Sequence, residues 1–167
     1  MLSITNSALL TREIATQEGT EQESVKFAVS KALKMLQNDG FVARQMMKLK
    51  DKEVMLYYKR DSALSGPHKF MEKEVTKKLD EKNIAYELAK PGEDKPDIMV
   101  KDFDVEIETG LKHDLTEVQQ KLSKATKKTY VIVPNEMEKG KYQNITKNTL
   151  AIVLPLNLVG GSVSVAQ

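Results

Sequence analysis

The segment 95–110 carries apolar side chains at every second position, on both sides of a short polar turn at Lys101 and Asp102. This period of two predicts a pair of β-strands joined as a hairpin. The apolar positions are Ile98 and Val100 in the first strand and Phe103, Val105 and Ile107 in the second. The rest of the chain is organised around this predicted hairpin.

Acidic side chains occupy the opposite face of the predicted hairpin. Asp104, Glu106 and Glu108 alternate with the apolar set and therefore project from the other side of the strand. Asp97 opens the first strand, and the hairpin would bring it beside Glu106. These carboxylates would repel one another unless a cation lay among them, and hard oxygen ligands suit Mg²⁺ or Mn²⁺. The alternative is a solvated sheet edge, where acidic residues prevent edge-to-edge pairing.

The composition excludes several classes of protein. The 167 residues include no cysteine, so disulfides and thiolate metal sites are excluded. No apolar run approaches membrane-spanning length and no signal-peptide pattern is present, so we expect a cytoplasmic protein without a membrane partner. The net charge is only +2, and its weak basic excess lies in the first 64 residues. That excess fits contact with nucleic acid but does not require it.

One short segment of small residues is the best candidate linker. It runs from residue 62 to Pro67 and ends in the helix-breaking pair Gly66-Pro67. We therefore predict two domains, at residues 1–62 and 66–158.

The first sixty residues show two helical patterns. Residues 8–15 carry apolar side chains at roughly helical spacing, and Glu18-Gly19 is a stop signal. Thr20 is an N-cap, and Glu23 three residues later completes a capping box. The helix that follows carries one apolar face up to the Asn38-Asp39-Gly40 stop.

Two strand-like runs come next, at residues 41–47 and 54–58, joined by a polar segment rich in lysine. Helix, turn, helix and a basic-tipped hairpin is the order of a winged helix-turn-helix. Over about residues 7–60 the chain resembles the winged-helix family, notably in "LLTREIA", "AVSKALKMLQNDGFV" and the hairpin.

The resemblance implies that the helix near residues 21–38 is a DNA recognition helix. Its exposed lysines would face DNA and the wing lysines would touch the phosphate backbone, which positions a protein without reading sequence. These lysines are Lys26, Lys31 and Lys34 on the helix and Lys48, Lys50 and Lys52 on the wing. The alternative is a helical hairpin with a β-ribbon used for dimerisation.

The second domain has a recognisable order of elements. Residues 68–82 predict an amphipathic helix, residues 84–88 a strand, and the acidic hairpin follows. Asp114 then caps a helix, and two continuous apolar runs at residues 130–133 and 150–154 predict buried strands with a helical connection. The predicted order is helix, three strands, helix, strand, helix, strand, which gives an α/β (α+β) two-domain chain.

This order resembles the PD-(D/E)XK restriction-endonuclease-like superfamily over about residues 66–155. The motifs that carry the resemblance are Pro96-Asp97 and Glu106-x-Glu108 at the end of the third strand. The core is similar to archaeal Holliday-junction resolvases. It also resembles the "His…PD…VEIETG" pattern of nuclease-like proteins from plasmids and viruses, including replication-relaxation proteins. The resemblance implies an αβββαβ core whose mixed sheet is flanked by helices.

The resemblance also implies roles for individual residues. Asp97 and Glu106 would bind Mg²⁺ or Mn²⁺ together with the backbone carbonyl of Ile107. Glu72 aligns with the helix glutamate that reaches the metal through water in this superfamily. His68 would touch phosphate or a catalytic carboxylate, and its alternative is an exposed residue at the helix start. The implied activity is a Mg²⁺-dependent DNA endonuclease, working as a homodimer because cutting two strands needs two sites.

Glu108 departs from the pattern, since the superfamily usually has lysine there. A glutamate cannot neutralise negative charge, but it could bind metal or accept a proton from water. Lys121 on the following helix would then supply the positive charge, unless it is only a solvated helix lysine. The alternative function is a non-catalytic DNA-binding protein in replication or transcription regulation, with the nuclease-like fold serving for assembly.

Overall fold

A computed structural model describes residues 9–10, 23–49, 52–60, 64–110 and 114–156 of the chain. These residues form a mixed α+β structure with four helices and two sheets. Contacts between residues divide the chain into two units, one of Met1–Met47 and Glu53–Lys73, the other of Lys48–Lys52 and Glu74–Gln167. No helix in these ranges is both long enough and apolar enough to cross a lipid bilayer.

The N-terminal sheet has three strands. They are β1 (Leu9–Leu10), β2 (Val42–Leu49) and β3 (Lys52–Lys59), in the order β1-β3-β2. Only residues 50–51 separate β2 from β3, so these two strands run antiparallel. β1 also pairs antiparallel with β3, with Leu10 opposite Leu56.

Helix α1 (Glu23–Asn38) precedes this hairpin and ends where the sequence predicts. Gly40 has a φ of +80°, the left-handed conformation that glycine adopts without strain. The N–H of Phe41 donates to the carbonyl of Leu36 at 2.9 Å, the bond that closes a Schellman motif. Val29 and Leu33 are buried on the inner face of the helix, as the predicted apolar stripe requires.

The prediction of a helix over residues 8–15 is wrong at Leu9 and Leu10. These two residues form strand β1, because hydrogen bonds to β3 outweigh a weak helical spacing over so short a run. Residues 11–22, including the predicted cap at Thr20, lie outside the described ranges.

Helix α2 (Gly66–Glu81) contributes residues 66–73 to the first unit and 74–81 to the second. The hydroxyl of Ser65 accepts a hydrogen bond from the N–H of His68 at 3.3 Å and so caps the helix start. The candidate linker at residues 62–67 is wrong at Gly66 and Pro67, which are buried in the first turn of α2. The predicted division into domains 1–62 and 66–158 stays a prediction.

The second unit contains a five-stranded mixed sheet in the order β4-β5-β6-β7-β8. Strands β4, β5 and β6 pair antiparallel, whereas β6, β7 and β8 pair parallel. The elements in chain order are β4 (Tyr86–Leu88), β5 (Ile98–Val100), β6 (Phe103–Ile107), α3 (Leu115–Ser123), β7 (Lys128–Val133), α4 (Glu136–Gln143) and β8 (Ala151–Pro155). The predicted order of helices and strands after residue 66 is confirmed. The prediction of a buried strand over residues 150–154 is wrong at Leu150 and Ile152, which are exposed because β8 is an edge strand.

Helices α3 and α4 are the crossovers that the parallel strands require. Asp114 caps α3 by accepting from the N–H of Thr116 at 2.9 Å, as predicted, and Asn135 caps α4. Both helices pack on one face of the sheet in a single buried cluster. Its members are Val118, Leu122, Val131, Val133, Tyr142 and Val153. Because Glu106 is opposite Val131 in the β6–β7 register, this is also the face that carries the acidic side chains.

Candidate functional site

The β5–β6 hairpin brings Asp97 beside Glu106. Ile98 pairs with Val105, so the residue before Ile98 lies next to the residue after Val105. Asp97 Oδ2 also accepts a hydrogen bond of 2.7 Å from the backbone N–H of Ile107. Asp97, directly before β5, thus lies beside Glu106 and Ile107 of β6.

The acidic face of β6 is buried. Asp104, Glu106 and Glu108 are 9%, 4% and 7% exposed, respectively. Strand β6 lies in the middle of the sheet, between β5 and β7. The alternative interpretation of a solvated sheet edge is therefore wrong.

Glu106 and Glu108 each accept a hydrogen bond within the second unit, whereas Asp104 lies at ion-pair distance from a lysine. Lys121 Nζ donates to Glu106 Oε2 at 2.7 Å. Lys127 Nζ lies 3.6 Å from Asp104 Oδ1, and the hydroxyl of Tyr142 donates to Glu108 Oε2 at 3.3 Å. The pairing identifies Lys121 as part of the carboxylate cluster and not as a solvated helix lysine.

The position of Lys121 follows from the way α3 packs. Val118 and Leu122 are buried against the sheet. Lys121 is three residues after Val118 and so lies beside the buried stripe of the helix. Its side chain is 40% exposed, with its stem at the margin of the core and its ammonium group on Glu106.

The electrostatics of the Glu106–Lys121 pair are unusual. Burial raises the pKa of Glu106 to about 7, against the opposing effect of Lys121, and the charges of Asp97 and Glu108 raise it further. Burial alone would lower the pKa of Lys121, but its hydrogen bond to Glu106 and the surrounding carboxylates raise it overall. Lys121 therefore stays cationic at neutral pH, and its charge opposes the rise in the pKa of Glu106 that burial causes. Such perturbed groups are concentrated at functional sites.

Glu106 and Lys121 line a cleft of about 480 Å³ in the second unit. The other lining residues come from the loop before β5, from β6, from α3 and from the start of β7. They include Lys95, Pro96, Asp104, Gln120, Lys124 and Thr129. The cleft is open to solvent, and acidic side chains, including Asp94 and Glu117, line it together with the lysines.

The oxygen donors of Asp97, Glu106 and the Ile107 backbone are the hard ligands that Mg²⁺ prefers. Within the described ranges, no group of three or more His, Cys, Asp or Glu residues has the arrangement of a metal site. Mg²⁺ usually keeps several waters and takes only one or two protein carboxylates. The donor set fits such a weakly ligated cation and does not fit a fully enclosed one.

Two further predicted site residues, His68 and Glu72, lie on α2 within the first unit. His68 Nε2 is 4.0 Å from Glu72 Oε2, and their side chains are 14% and 22% exposed. His68 is therefore not the exposed helix-start residue of the alternative interpretation. The role of Glu72 toward a metal, and of His68 toward phosphate, stays a prediction.

The predicted DNA-binding lysines are exposed where their side chains are described. Lys31 and Lys34 are exposed on α1, and Lys48 and Lys52 are exposed at the facing ends of β2 and β3. The side chain of Lys26 and the whole of Lys50 lie outside the described part of the chain. DNA contact by these residues stays a prediction.

Sequence reasoning missed Tyr142. It lies in a segment predicted only as a polar helical connection, and an aromatic residue among charged ones was the available signal. Tyr142 is 2% exposed and follows the buried Glu138 by one helical turn, so both face the sheet.

No family model, no curated protein and no solved structure matches this chain. The function assigned below therefore depends on the site geometry and on the motifs of the sequence. No family is assigned.

Proposed function

We propose that this chain is a Mg²⁺-dependent DNA endonuclease whose second unit is of the PD-(D/E)XK type. The single observation that carries the proposal is the group of Asp97, Glu106 and Lys121. Two carboxylates from adjacent strands approach each other, and an ammonium group lies 2.7 Å from one of them. This combination supplies both the anionic ligands and the cationic group that phosphodiester hydrolysis requires.

Asp97, Glu106 and the carbonyl of Ile107 would hold the cation. When bound, Mg²⁺ supplies Lewis-acid polarisation of the phosphate and makes water a better nucleophile. Lys121 would stabilise the negative charge that develops on the phosphate oxygens in the transition state. The hydrogen bond of Asp97 to the Ile107 N–H keeps its carboxylate facing β6.

Lys121 compensates for Glu108 in this proposal. The superfamily usually has lysine at the position of Glu108, which here is buried and accepts from Tyr142. Lys121 of α3 contacts the carboxylate of Glu106, which is two residues before Glu108. In this way it restores the positive charge that is missing at Glu108. Glu108 is then available to accept a proton from the attacking water.

We further propose that the first unit is a winged helix that holds the endonuclease on DNA. Its described elements, a 16-residue helix followed by a two-stranded hairpin, fit that architecture. Lys31 and Lys34 on α1 are exposed and can reach phosphates. Lys48 and Lys52 at the hairpin are exposed as well, although residue contacts assign the tip Lys48–Lys52 to the second unit. Cleavage of both strands would require a homodimer with two such sites.

A second candidate function is a non-catalytic DNA-binding protein that uses the nuclease-like unit for assembly in replication or transcription regulation. The ion pair between Lys121 and Glu106 favours it, because that pair already neutralises a carboxylate that the cation would need. The lack of a three-residue metal cluster among the described residues points the same way.

The test is incubation of the purified protein with supercoiled plasmid, flap and four-way-junction DNA in Mg²⁺, in Mn²⁺ and in chelator. We expect metal-dependent cleavage that is lost in Asp97→Asn. Asp102→Asn is the matched control, because Asp102 is an exposed aspartate in the turn of the same hairpin. Tight DNA binding without cleavage of any of the three substrates would exclude the endonuclease and favour the second candidate.

A further inference from the structure

We infer that Tyr142 is a positioning residue for Glu108, an inference that rests on the proposed function. The Tyr142 hydroxyl donates to Glu108 Oε2 at 3.3 Å, and both residues are more than nine-tenths buried. A buried carboxylate gains orientation from such a donor because no bulk water competes for it. The distance exceeds the 2.7–2.8 Å typical of hydroxyl donors, so we assign Tyr142 an orienting role and not strong charge stabilisation.

The hydroxyl of Tyr142 is held in place by the packing of α4. The ring belongs to the buried cluster with Val131 and Val153. The helix start is fixed by Asn135, whose side chain accepts from the N–H of Glu138 at 3.0 Å. The hydroxyl therefore has a fixed position relative to β7, and through the β6–β7 pairing relative to Glu108.

Helix α4 also lies close to the backbone that follows Glu108. Gly110 has a φ of +75°, and a Cβ there would overlap the carboxylate of Glu138. Glu138 is itself fixed by Lys141, whose Nζ lies 2.7 Å from its Oε1. Helix α4 thus supplies the hydroxyl that donates to Glu108 and a carboxylate that closely approaches the chain after it.

The protonation of Tyr142 supports its role as a donor. Burial raises the pKa of Tyr142 above its usual value, and the negative charges of Glu108 and Glu138 raise it further. The hydroxyl stays protonated under any condition in which cleavage would be assayed. The hydroxyl can therefore donate to Glu108 Oε2, which favours one orientation of the carboxylate.

The test is a double-mutant cycle on the cleavage rate, with Tyr142→Phe, Glu108→Gln and the double variant. Tyr142→Phe keeps the ring and removes only the hydroxyl. We expect it to lower kcat about fivefold, the factor that one ordinary hydrogen bond represents, with KM for DNA unchanged. In the Glu108→Gln background the same change should leave kcat unaltered, because Tyr142 acts through Glu108.

Tyr86→Phe is the matched control, since Tyr86 also donates to a carboxylate, that of Asp80, at 3.5 Å. It should not change kcat. A kcat for Tyr142→Phe equal to that of the unaltered protein would overturn the inference. So would an equal loss in both backgrounds, which would mean that Tyr142 does not act through Glu108. If the unaltered protein cleaves no DNA, the proposed function fails first and the inference fails with it.

Discussion

Lys121 Nζ lies 2.7 Å from Glu106 Oε2, so a lysine from the crossover helix α3 pairs with the most buried carboxylate of β6. Neither residue is placed by local structure alone. Glu106 is buried because β6 is a central strand, and Lys121 reaches it because Val118 and Leu122 fix the rotation of α3. Lys121 thereby gives the carboxylate cluster a positive charge, which Glu108 cannot supply.

Replacing Lys121 with methionine should destabilise the protein and abolish most cleavage. The change leaves Glu106 buried without its partner, which costs about 3–5 kcal/mol for a fully buried pair. Because the Lys121 side chain is 40% exposed, we expect a loss of about 1–3 kcal/mol in the free energy of unfolding. Cleavage at saturating DNA should fall about 100-fold, as for removal of one group that stabilises the transition state.

The control for Lys121→Met is Lys101→Met, which removes an exposed lysine from the β5–β6 turn. Urea unfolding and plasmid nicking measure the two effects separately. A Lys121→Met protein that nicks plasmid at the normal rate would show that Lys121 only neutralises Glu106.

The stability of the protein should depend on pH through Glu106. Its pKa is raised from 4.5 to about 7 in the folded state, so the folded protein binds more protons than the unfolded chain between these values. The stability that Glu106 contributes is therefore fully present below pH 4.5 and is lost as the pH rises through 7. The change amounts to about 1–3 kcal/mol over this range.

Unfolding of the unaltered protein and of Glu106→Gln, measured at several pH values, tests this dependence. As the pH rises from 4.5 to 7, the free energy of unfolding of the unaltered protein should fall relative to that of Glu106→Gln. Glu117→Gln, which removes an exposed carboxylate from the same cleft, is the matched control. A difference between the unaltered protein and Glu106→Gln that stays constant with pH would contradict a raised pKa for Glu106.

The two glycines near α4 should respond to alanine in opposite directions. Gly110→Ala forces a Cβ into the Glu138 carboxylate at a φ of +75°, which we expect to cost about 1–3 kcal/mol of stability. Gly140 lies within α4 and has open space around it, so Gly140→Ala should stabilise the protein by about 0.5–1 kcal/mol. Denaturant unfolding measures both. Equal changes in the free energy of unfolding for the two substitutions would contradict the left-handed backbone at Gly110 and its close approach to Glu138.

DNA binding by the first unit should be electrostatic. Replacing Lys31 and Lys34 with alanine should weaken binding to unrelated DNA sequences to the same extent. The logarithm of the DNA-binding constant decreases linearly with the logarithm of the salt concentration. The magnitude of this slope should become smaller by about one for each phosphate that the protein no longer neutralises. Lys77→Ala, an exposed lysine on α2, is the control. Unchanged affinity in the double variant, measured by fluorescence anisotropy at several salt concentrations, would favour the dimerisation alternative for this unit.

The period of two in residues 95–110 was sufficient to predict the β5–β6 hairpin and the approach of Asp97 to Glu106. It could not distinguish an edge from the centre of a sheet, because the parallel pairing of β6 with β7 joins residues some 25 positions apart, as in Glu106 with Val131. The local pattern also could not show that Leu9 and Leu10 form a strand, because their partner strand β3 lies far along the chain. Tertiary hydrogen bonds decided both cases.

The candidate site was likewise predictable only in part. Carboxylate positions followed from strand periodicity, whereas the contact of Lys121 with Glu106 depends on how α3 packs against the sheet. The sequence permitted that contact without requiring it. Tyr142 was missed because a single aromatic residue in a polar helix carries no periodic signal, and its burial comes from the sheet beneath it.

The most direct measurement of the central claim is the rate of supercoiled plasmid nicking as a function of Mg²⁺ concentration, for the unaltered protein and Glu106→Gln. We expect a saturable, Mg²⁺-dependent rate that chelator abolishes and that Glu106→Gln reduces at least about 100-fold. A nicking rate that is independent of Mg²⁺, or equal in the two proteins, would contradict a cation held by Asp97 and Glu106.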